Sequence, residues 1–181
     1  IRFTSWESTD GTRYRFAATI KSKAGDEDTR LKGRLEVARE GAGGEAVYAE
    51  PDGKKVKIPD DTYLPVGQVR KLLAAARAGE KQVRFHVFDG TEDIGPQLMS
   101  SVITGRFKAG EGKGLQTDWG SMGTGPGWRV SSAYFETTGT QPQSTPSFQF
   151  TMELLDNGVP RRMEMDLDGF VVIQALKEIN P

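Results

Sequence analysis

One stretch of the chain carries a helical pattern of hydrophobic positions. Residues 64–79 read LPVGQVRKLLAAARAG. Their apolar side chains recur at three- and four-residue spacing, which predicts one apolar stripe on an α-helix: Val66, Val69, Leu72, Leu73 and Ala76. Proline is tolerated in the first helical turn, so Pro65 suits the start, and Gly79 suits a left-handed C-terminal cap. The pattern therefore predicts a helix over residues 65–78.

Elsewhere hydrophobic and polar residues alternate, which is typical of half-buried β-strands. Tyr14, Phe16 and Ala18, for example, occupy every second position after the turn signal Asp10-Gly11. The predicted strands are residues 1–8, 12–23, 31–37, 45–50, 54–58, 81–89, 98–107, 128–137, 147–155, 160–167 and 170–179. We therefore predict a mostly β fold, in which the helix is the internal plug or flank of a curved antiparallel sheet.

Composition narrows the classes of function. The chain has 181 residues, which fits a single domain over residues 1–181. Its 24 basic and 25 acidic residues give a net charge of −1, so it lacks the basic excess typical of nucleic-acid binding. No run approaches the roughly 18 apolar residues of a transmembrane helix, and no cysteine is present for disulfides or thiolate chemistry. Because the sequence begins at Ile1 and is strand-like from that residue, we expect a processed chain or a fragment.

The polar residues that could form an active site are one histidine and one cluster of carboxylates. His86 is the single histidine, and we interpret it as an ordinary strand residue. Asp89, Glu92 and Asp93 cluster after the same predicted strand. Two of these carboxylates would suit glycoside hydrolysis if they were held about 5–9 Å apart, whereas aspartate followed by glycine is also typical of a turn. We predict no metal or cofactor site.

The strands near the end of the chain carry the most informative apolar residues. Phe148, Phe150 and Met152 share one face of their predicted strand, and Tyr134 or Phe135 lies on another strand. A sheet that curls around one helix has two ends, and the helix cannot cover both. Since uncovered apolar surface costs about 25 cal/mol per Å² in water, we predict that these residues line an apolar cleft. Such a cleft suits an amphipathic, lipid-like ligand or the hydrophobic segment of a protein partner.

Three stretches occur in an order that resembles a known family: LPVGQVRKLLAAARAGEKQVRFHVFDGTED, WRVSSAYFE and LLDNGVPRRMEMDLDGFVVIQALKEI. They combine a proline-started helix, a strand ending in Phe88-Asp89-Gly90 and a hairpin turn at Asn157-Gly158. Over residues 8–179 the chain is similar to the periplasmic cell-envelope-integrity proteins of alphaproteobacteria. It departs from that family in lacking a cysteine pair and in being shorter, which implies a shortened member or the C-terminal part of one.

The resemblance implies a function as well as a fold. It implies a spiral of antiparallel strands around a helix, a periplasmic location, and structural support of the envelope without a known reaction. The predicted fold is therefore a long, curved antiparallel sheet, a β-spiral or open barrel-like form, wrapped around one α-helix. We therefore expect a non-enzymatic periplasmic protein that binds an envelope protein or a lipid-like ligand through Tyr134, Phe135, Phe148, Phe150 and Met152. The alternative is a cell-wall glycan hydrolase that uses Asp89 with Glu92 or Asp93.

Overall fold

The fold is mostly β, as predicted. The computed structural model describes residues 2–20, 29–50, 53–90, 96–109, 125–138, 141–142, 144–167 and 170–174. The glycine-rich stretch 109–127, which its composition predicts to be a weakly ordered loop, falls mostly outside them. Within the described residues the elements are β1 (Arg2–Glu7), β2 (Arg13–Ile20), β3 (Thr29–Glu36), β4 (Gly44–Glu50), β5 (Lys55–Ile58), β6 (Thr62–Tyr63), α1 (Pro65–Arg77), β7 (Gln82–Val87), β8 (Gln97–Phe107), β9 (Gly127–Phe135), β10 (Thr137–Thr138), β11 (Gln141–Pro142), β12 (Phe148–Leu155), β13 (Pro160–Leu167) and β14 (Phe170–Gln174).

The strands are divided between two larger sheets and one small one. Five strands form a meander in the order β1-β2-β3-β4-β5, and each neighbouring pair is antiparallel. Seven strands form a second sheet in the order β14-β13-β12-β9-β8-β7-β6, which includes the parallel pair β6–β7. Strands β10 and β11 pair with each other. The curved sheet predicted from the alternation is therefore present as separate, mainly antiparallel sheets.

The chain divides into two compact units. The first comprises Ile1–Gln68, Phe85–Leu98 and Glu136–Gln143. The second comprises Val69–Arg84, Met99–Phe135 and Ser144–Pro181. A single domain over residues 1–181 stays a prediction.

The core of the first unit follows from the alternation along the five-stranded sheet. One face of the sheet is apolar, and its side chains join residues from neighbouring segments in a buried cluster: Tyr14, Phe16, Ala18, Leu31, Leu35, Ala46, Tyr48, Ile58, Leu64 and Phe88. The ring of Phe16 lies where a side chain at Gly33 of β3 would stand. Glycine at position 33 therefore lets the aromatic ring pack directly against the backbone.

The N-terminus of α1 is capped by a residue far away in the sequence. Leu64 precedes the helix and has no side-chain oxygen, and the first turn contains no acidic residue. The carboxylate of Glu7, at the end of β1, instead accepts hydrogen bonds from the backbone N–H groups of Val66 at 2.7 Å and Gly67 at 3.1 Å. These donors have no partner inside the helix, and a negative charge complements the positive end of its dipole.

Replacing Glu7 with alanine should lower the free energy of unfolding by about 1–2 kcal/mol, because two helix N–H groups lose their acceptor. Glu7→Gln keeps an oxygen acceptor but removes the charge, so its effect should be smaller. Urea unfolding followed by circular dichroism measures both values. An alanine variant as stable as the parent chain would show that solvent satisfies the helix N-terminus equally well.

The C-terminus of α1 confirms the predicted glycine cap. Gly79 has φ of 77°, its N–H donates to Ala76 at 3.1 Å, and the N–H of Glu80 donates to Ala75 at 3.0 Å. These two bonds form a Schellman motif. Glycine is favoured at this position because other residues rarely adopt the left-handed conformation.

The buried stripe of α1 is shifted from the predicted one. Leu72, Leu73, Ala75 and Ala76 are buried, so the burial predicted for both leucines is confirmed. The spacing places Val66 on the same stripe, but Val66 is 51% exposed. With Ala75 included, the centre of the buried arc moves to a position about 100° from Val66 around the helix axis.

Candidate functional site

Three of the five predicted binding residues form an aromatic cluster on the second unit. Tyr134 of β9 is the register partner of Phe148 on β12, and their rings stack at 5.9 Å between centroids with 13° between planes. Phe150 contacts both rings, at 5.5 Å from Tyr134 and 5.9 Å from Phe148. Cross-strand partners share one face of a sheet, so the pairing of β9 with β12 brings these side chains together.

The aromatic cluster has a buried end and a partly exposed end. Phe150 is 6% exposed and Met152, the next residue on the same face, is 4% exposed. Tyr134 and Phe148 are only half-buried. Solvent-accessible aromatic surface is therefore concentrated on this pair, with Phe150 and Met152 beneath it as core residues.

Phe135 lies on the other side of the sheet. It follows Tyr134 directly in β9, and successive strand residues point to opposite faces. Phe135 is half-buried there, and the face that it shares contains Arg129 and Glu153, which form an ion pair at 3.6 Å. The structure thus brings Tyr134, Phe148, Phe150 and Met152 to one face and separates Phe135 from them.

The turn that contains Asp89 is held by aromatic side chains of the first unit. The hydroxyl of Tyr14 donates to the carbonyl oxygen of Asp89 at 3.0 Å, and that of Tyr48 donates to the carbonyl oxygen of Gly90 at 3.2 Å. Burial raises the pKa of the Tyr14 hydroxyl, so it stays a donor across the whole physiological range. Gly90 adopts φ of 85°. The backbone therefore bends at Gly90, where the predicted strand ends, and the carbonyl oxygens of Asp89 and Gly90 have a structural role.

The carboxylate pair required for a glycan hydrolase stays a prediction. Asp89 is described and half-buried, but Glu92 and Asp93 lie outside the described residues. A carboxyl group with a strongly lowered pKa lies elsewhere in the first unit. Asp10 accepts hydrogen bonds from the side chains of Ser8 and Thr12 and from the Thr12 backbone, which lowers its pKa to about 2. That arrangement stabilises the turn between β1 and β2.

His86 is placed as a strand residue. It is half-buried in β7, and its backbone N–H donates to the carbonyl of Asp61 at 2.9 Å. In the described part of the chain, no three His, Cys, Asp or Glu side chains are grouped so that they could hold a metal ion. The one helix described there is too short and too polar to span a bilayer.

Sequence reasoning missed a groove on the first unit. It has a volume of about 580 Å³ and lies on the outer face of the five-stranded sheet, opposite the core. Trp6, Arg15, Ala17, Arg34 and Val47 are among its lining residues. The sequence shows that these residues alternate with core residues. It does not specify the register of the four strands, which brings these residues together in one groove.

Comparison with known proteins relates the whole chain to bacterial envelope proteins. The EipB-like family model matches residues 1–181. The chain is 25% identical over 169 residues to the cell envelope integrity protein EipB of Brucella abortus (strain 2308), an alignment that covers 92% of the chain and 58% of that relative's length. A crystal structure of a beta-barrel-like protein of domain of unknown function DUF1849, from Brucella abortus, superposes with a TM-score of 0.70 at 21% identity, covering 97% of this chain and 72% of that one.

Proposed function

We propose that this chain, which belongs to the EipB-like family, supports the integrity of the bacterial cell envelope from the periplasm without catalysing a reaction. The match to an envelope-integrity protein along 92% of the chain supports the envelope role. That relative is longer, and the chain spans 58% of it. The glycan-hydrolase alternative has no observation in its favour among the described residues.

We further propose that the protein acts by binding an amphipathic, lipid-like ligand at the aromatic cluster. The observation that supports this proposal is the half-buried, stacked pair Tyr134 and Phe148 above buried Phe150 and Met152. Covering large aromatic side chains at a protein surface with an apolar partner is favourable by about 25 cal/mol per Å² of buried apolar area. An acyl chain or detergent tail laid on this pair would extend the apolar layer of the sheet.

The aromatic cluster includes the hydroxyl of Tyr134 and lies beside the hydroxyl of Ser132. The Tyr134 hydroxyl is the polar end of an otherwise apolar ring. Ser132, the residue beside Phe150 in the register, is buried and shares a hydrogen bond of 2.8 Å with Ser101. The buried hydroxyl groups beneath the cluster therefore already have a hydrogen-bond partner. A ligand at this site consequently needs an apolar segment rather than a polar one.

Binding of an environment-sensitive apolar dye tests this site. Replacing both half-buried rings, Tyr134→Ser with Phe148→Ser, should weaken dye binding at least roughly tenfold, because about 1.5–3 kcal/mol is lost for each large apolar side chain. Phe135→Ser is the matched control, since it removes a half-buried ring from the opposite face. Phe150 is unsuitable because it is 6% exposed and its replacement would damage the core.

Circular dichroism must show that both variants keep the fold. Equal dye affinity of the parent chain and the Tyr134/Phe148 double variant would contradict binding at the cluster. Loss of dye binding in Phe135→Ser alone would move the site to the other face of the sheet.

A further inference from the structure

A row of side chains crosses the outer face of the five-stranded sheet, and the proposed function does not use it. Trp6 pairs with Arg15, Arg15 with Arg34, and Arg34 with Val47 in the strand register. Because cross-strand partners share a face, the row extends from β1 to β4 on the side away from the core. Lys32 lies on the same face, two residues before Arg34 on β3.

The basic side chains in this row have no acidic neighbour in the groove. Arg15, Lys32 and Arg34 all line it, and none of its described lining residues is Asp or Glu. Among the described residues, none of these three side chains forms an ion pair. The chain as a whole has a net charge of −1, and Glu50, the register partner of Lys32, lies on the same face outside the lining. The positive charge is therefore a local property of the groove lining. A bound anion would relieve the repulsion between these groups.

Trp6 is exposed beside these charges. Its side chain is 49% exposed, and the guanidinium groups of Arg13 and Arg15 lie 5.8 and 5.7 Å from its ring centroid. These cation–π contacts restrain the arginine side chains while their N–H groups remain available to an oxyanion. The arrangement thus presents oriented donors next to a large apolar surface.

The rest of the groove favours an amphipathic ligand over a sugar. Ala17, Val47 and Ala49 contribute apolar surface, and Thr4, the register partner of Ala17, contributes a hydroxyl. Carboxylates and carboxamides are strong side-chain acceptors for the O–H groups of a sugar, and no described lining residue is Asp, Glu, Asn or Gln. The volume of about 580 Å³ falls in the range of small-molecule sites.

We propose that this groove binds an amphipathic anion, a phosphate-bearing single-chain lipid or a molecule of that chemistry. Arg15, Lys32 and Arg34 hold the acidic headgroup through charge-assisted hydrogen bonds. The apolar part lies along Trp6 and Val47. This site belongs to the first unit and is independent of the aromatic cluster on the second.

Titration calorimetry with dodecyl phosphate below its micelle concentration tests the proposal. The double variant Arg15→Gln/Arg34→Gln should bind at least about tenfold more weakly, because two charge-assisted donors are lost. Its matched control is Lys57→Gln/Lys81→Gln, which removes the same charge from exposed positions outside the groove. The control should change affinity by less than about twofold, since exposed charges at a distance are screened by salt.

Two other soluble ligands and anionic vesicles show which part of the amphiphile is responsible for binding. Dodecyl maltoside, with the same chain and no charge, and inorganic phosphate, with no chain, should each bind at least about tenfold more weakly than dodecyl phosphate. Equal affinity for either one would overturn an amphiphile site. Binding to anionic vesicles with none to monomeric dodecyl phosphate would also overturn it, in favour of docking on a membrane surface.

Two further outcomes decide where the amphiphile binds. If both charge variants lose affinity equally, the effect is one of net charge and the groove proposal fails. If Tyr134→Ser with Phe148→Ser abolishes dodecyl phosphate binding while Arg15→Gln/Arg34→Gln retains it, the anion binds at the aromatic cluster and the groove proposal is overturned. Retention by the aromatic variant with loss by the arginine variant supports the groove alone.

Discussion

Replacing Gly90 with alanine should lower the free energy of unfolding by about 2–5 kcal/mol. Gly90 has φ of 85°, a conformation that L side chains rarely adopt. A Cβ added there would also overlap the ring of Phe16, which is 3% exposed and packs edge-on against Tyr48 and Phe88. Both the backbone strain and the displaced ring destabilise the native state.

Gly53→Ala separates these two causes. Gly53 has φ of 74°, similar to that of Gly90, but no described atom lies within 4 Å of an added Cβ. Its replacement should therefore cost only the conformational part, about 1–2 kcal/mol. Chemical unfolding of both variants measures the difference. Equal losses would show that Phe16 gives way without cost and that the turn is less tightly packed than described.

Replacing Leu72 with alanine should cost about 2–5 kcal/mol, because a large side chain that is 1% exposed would leave a cavity. The denaturant midpoint should fall while the slope of the unfolding curve stays unchanged. Val66→Ala is the control on the same helix, since Val66 is 51% exposed. It should change stability by less than about 0.5 kcal/mol. Similar effects of the two substitutions would contradict the burial of this side of α1.

Local patterns predicted the helix and its end well. The three- and four-residue spacing identified α1 within one residue at its C-terminal end, and Gly79 forms the expected cap. The capping by Glu7 was not predictable in the same way, because the two hydrogen bonds join residues 59 and 60 positions apart. Such a cap depends on the position of β1, and no local signal specifies it.

Alternation also predicted which strand residues are buried. Tyr14, Phe16 and Ala18 are buried as expected, because a period of two assigns one face of a strand to the core. The order of strands in two larger sheets was not predictable from that period. It depends on long-range pairing, such as that of β9 with β12, for which alternation carries no information.

The candidate sites were also predictable only as far as local patterns reach. Phe148, Phe150 and Met152 lie on one face as the spacing indicated, and pairing places Tyr134 beside Phe148. The choice between Tyr134 and Phe135 required the register, since a shift of one residue exchanges the two faces. The groove beside Trp6 required the register of four strands at once.

We propose that the Tyr134/Phe148 surface supports envelope integrity. A growth test in the bacterium that encodes the chain tests this proposal most directly. The native gene would carry Tyr134→Ser with Phe148→Ser, or Phe135→Ser as the control, with protein levels matched by immunoblotting. On detergent-containing medium, the double variant should be as sensitive as a strain without the gene, whereas the control should grow like the parent. Wild-type resistance of the double variant, in a strain whose gene deletion is sensitive, would contradict the claim.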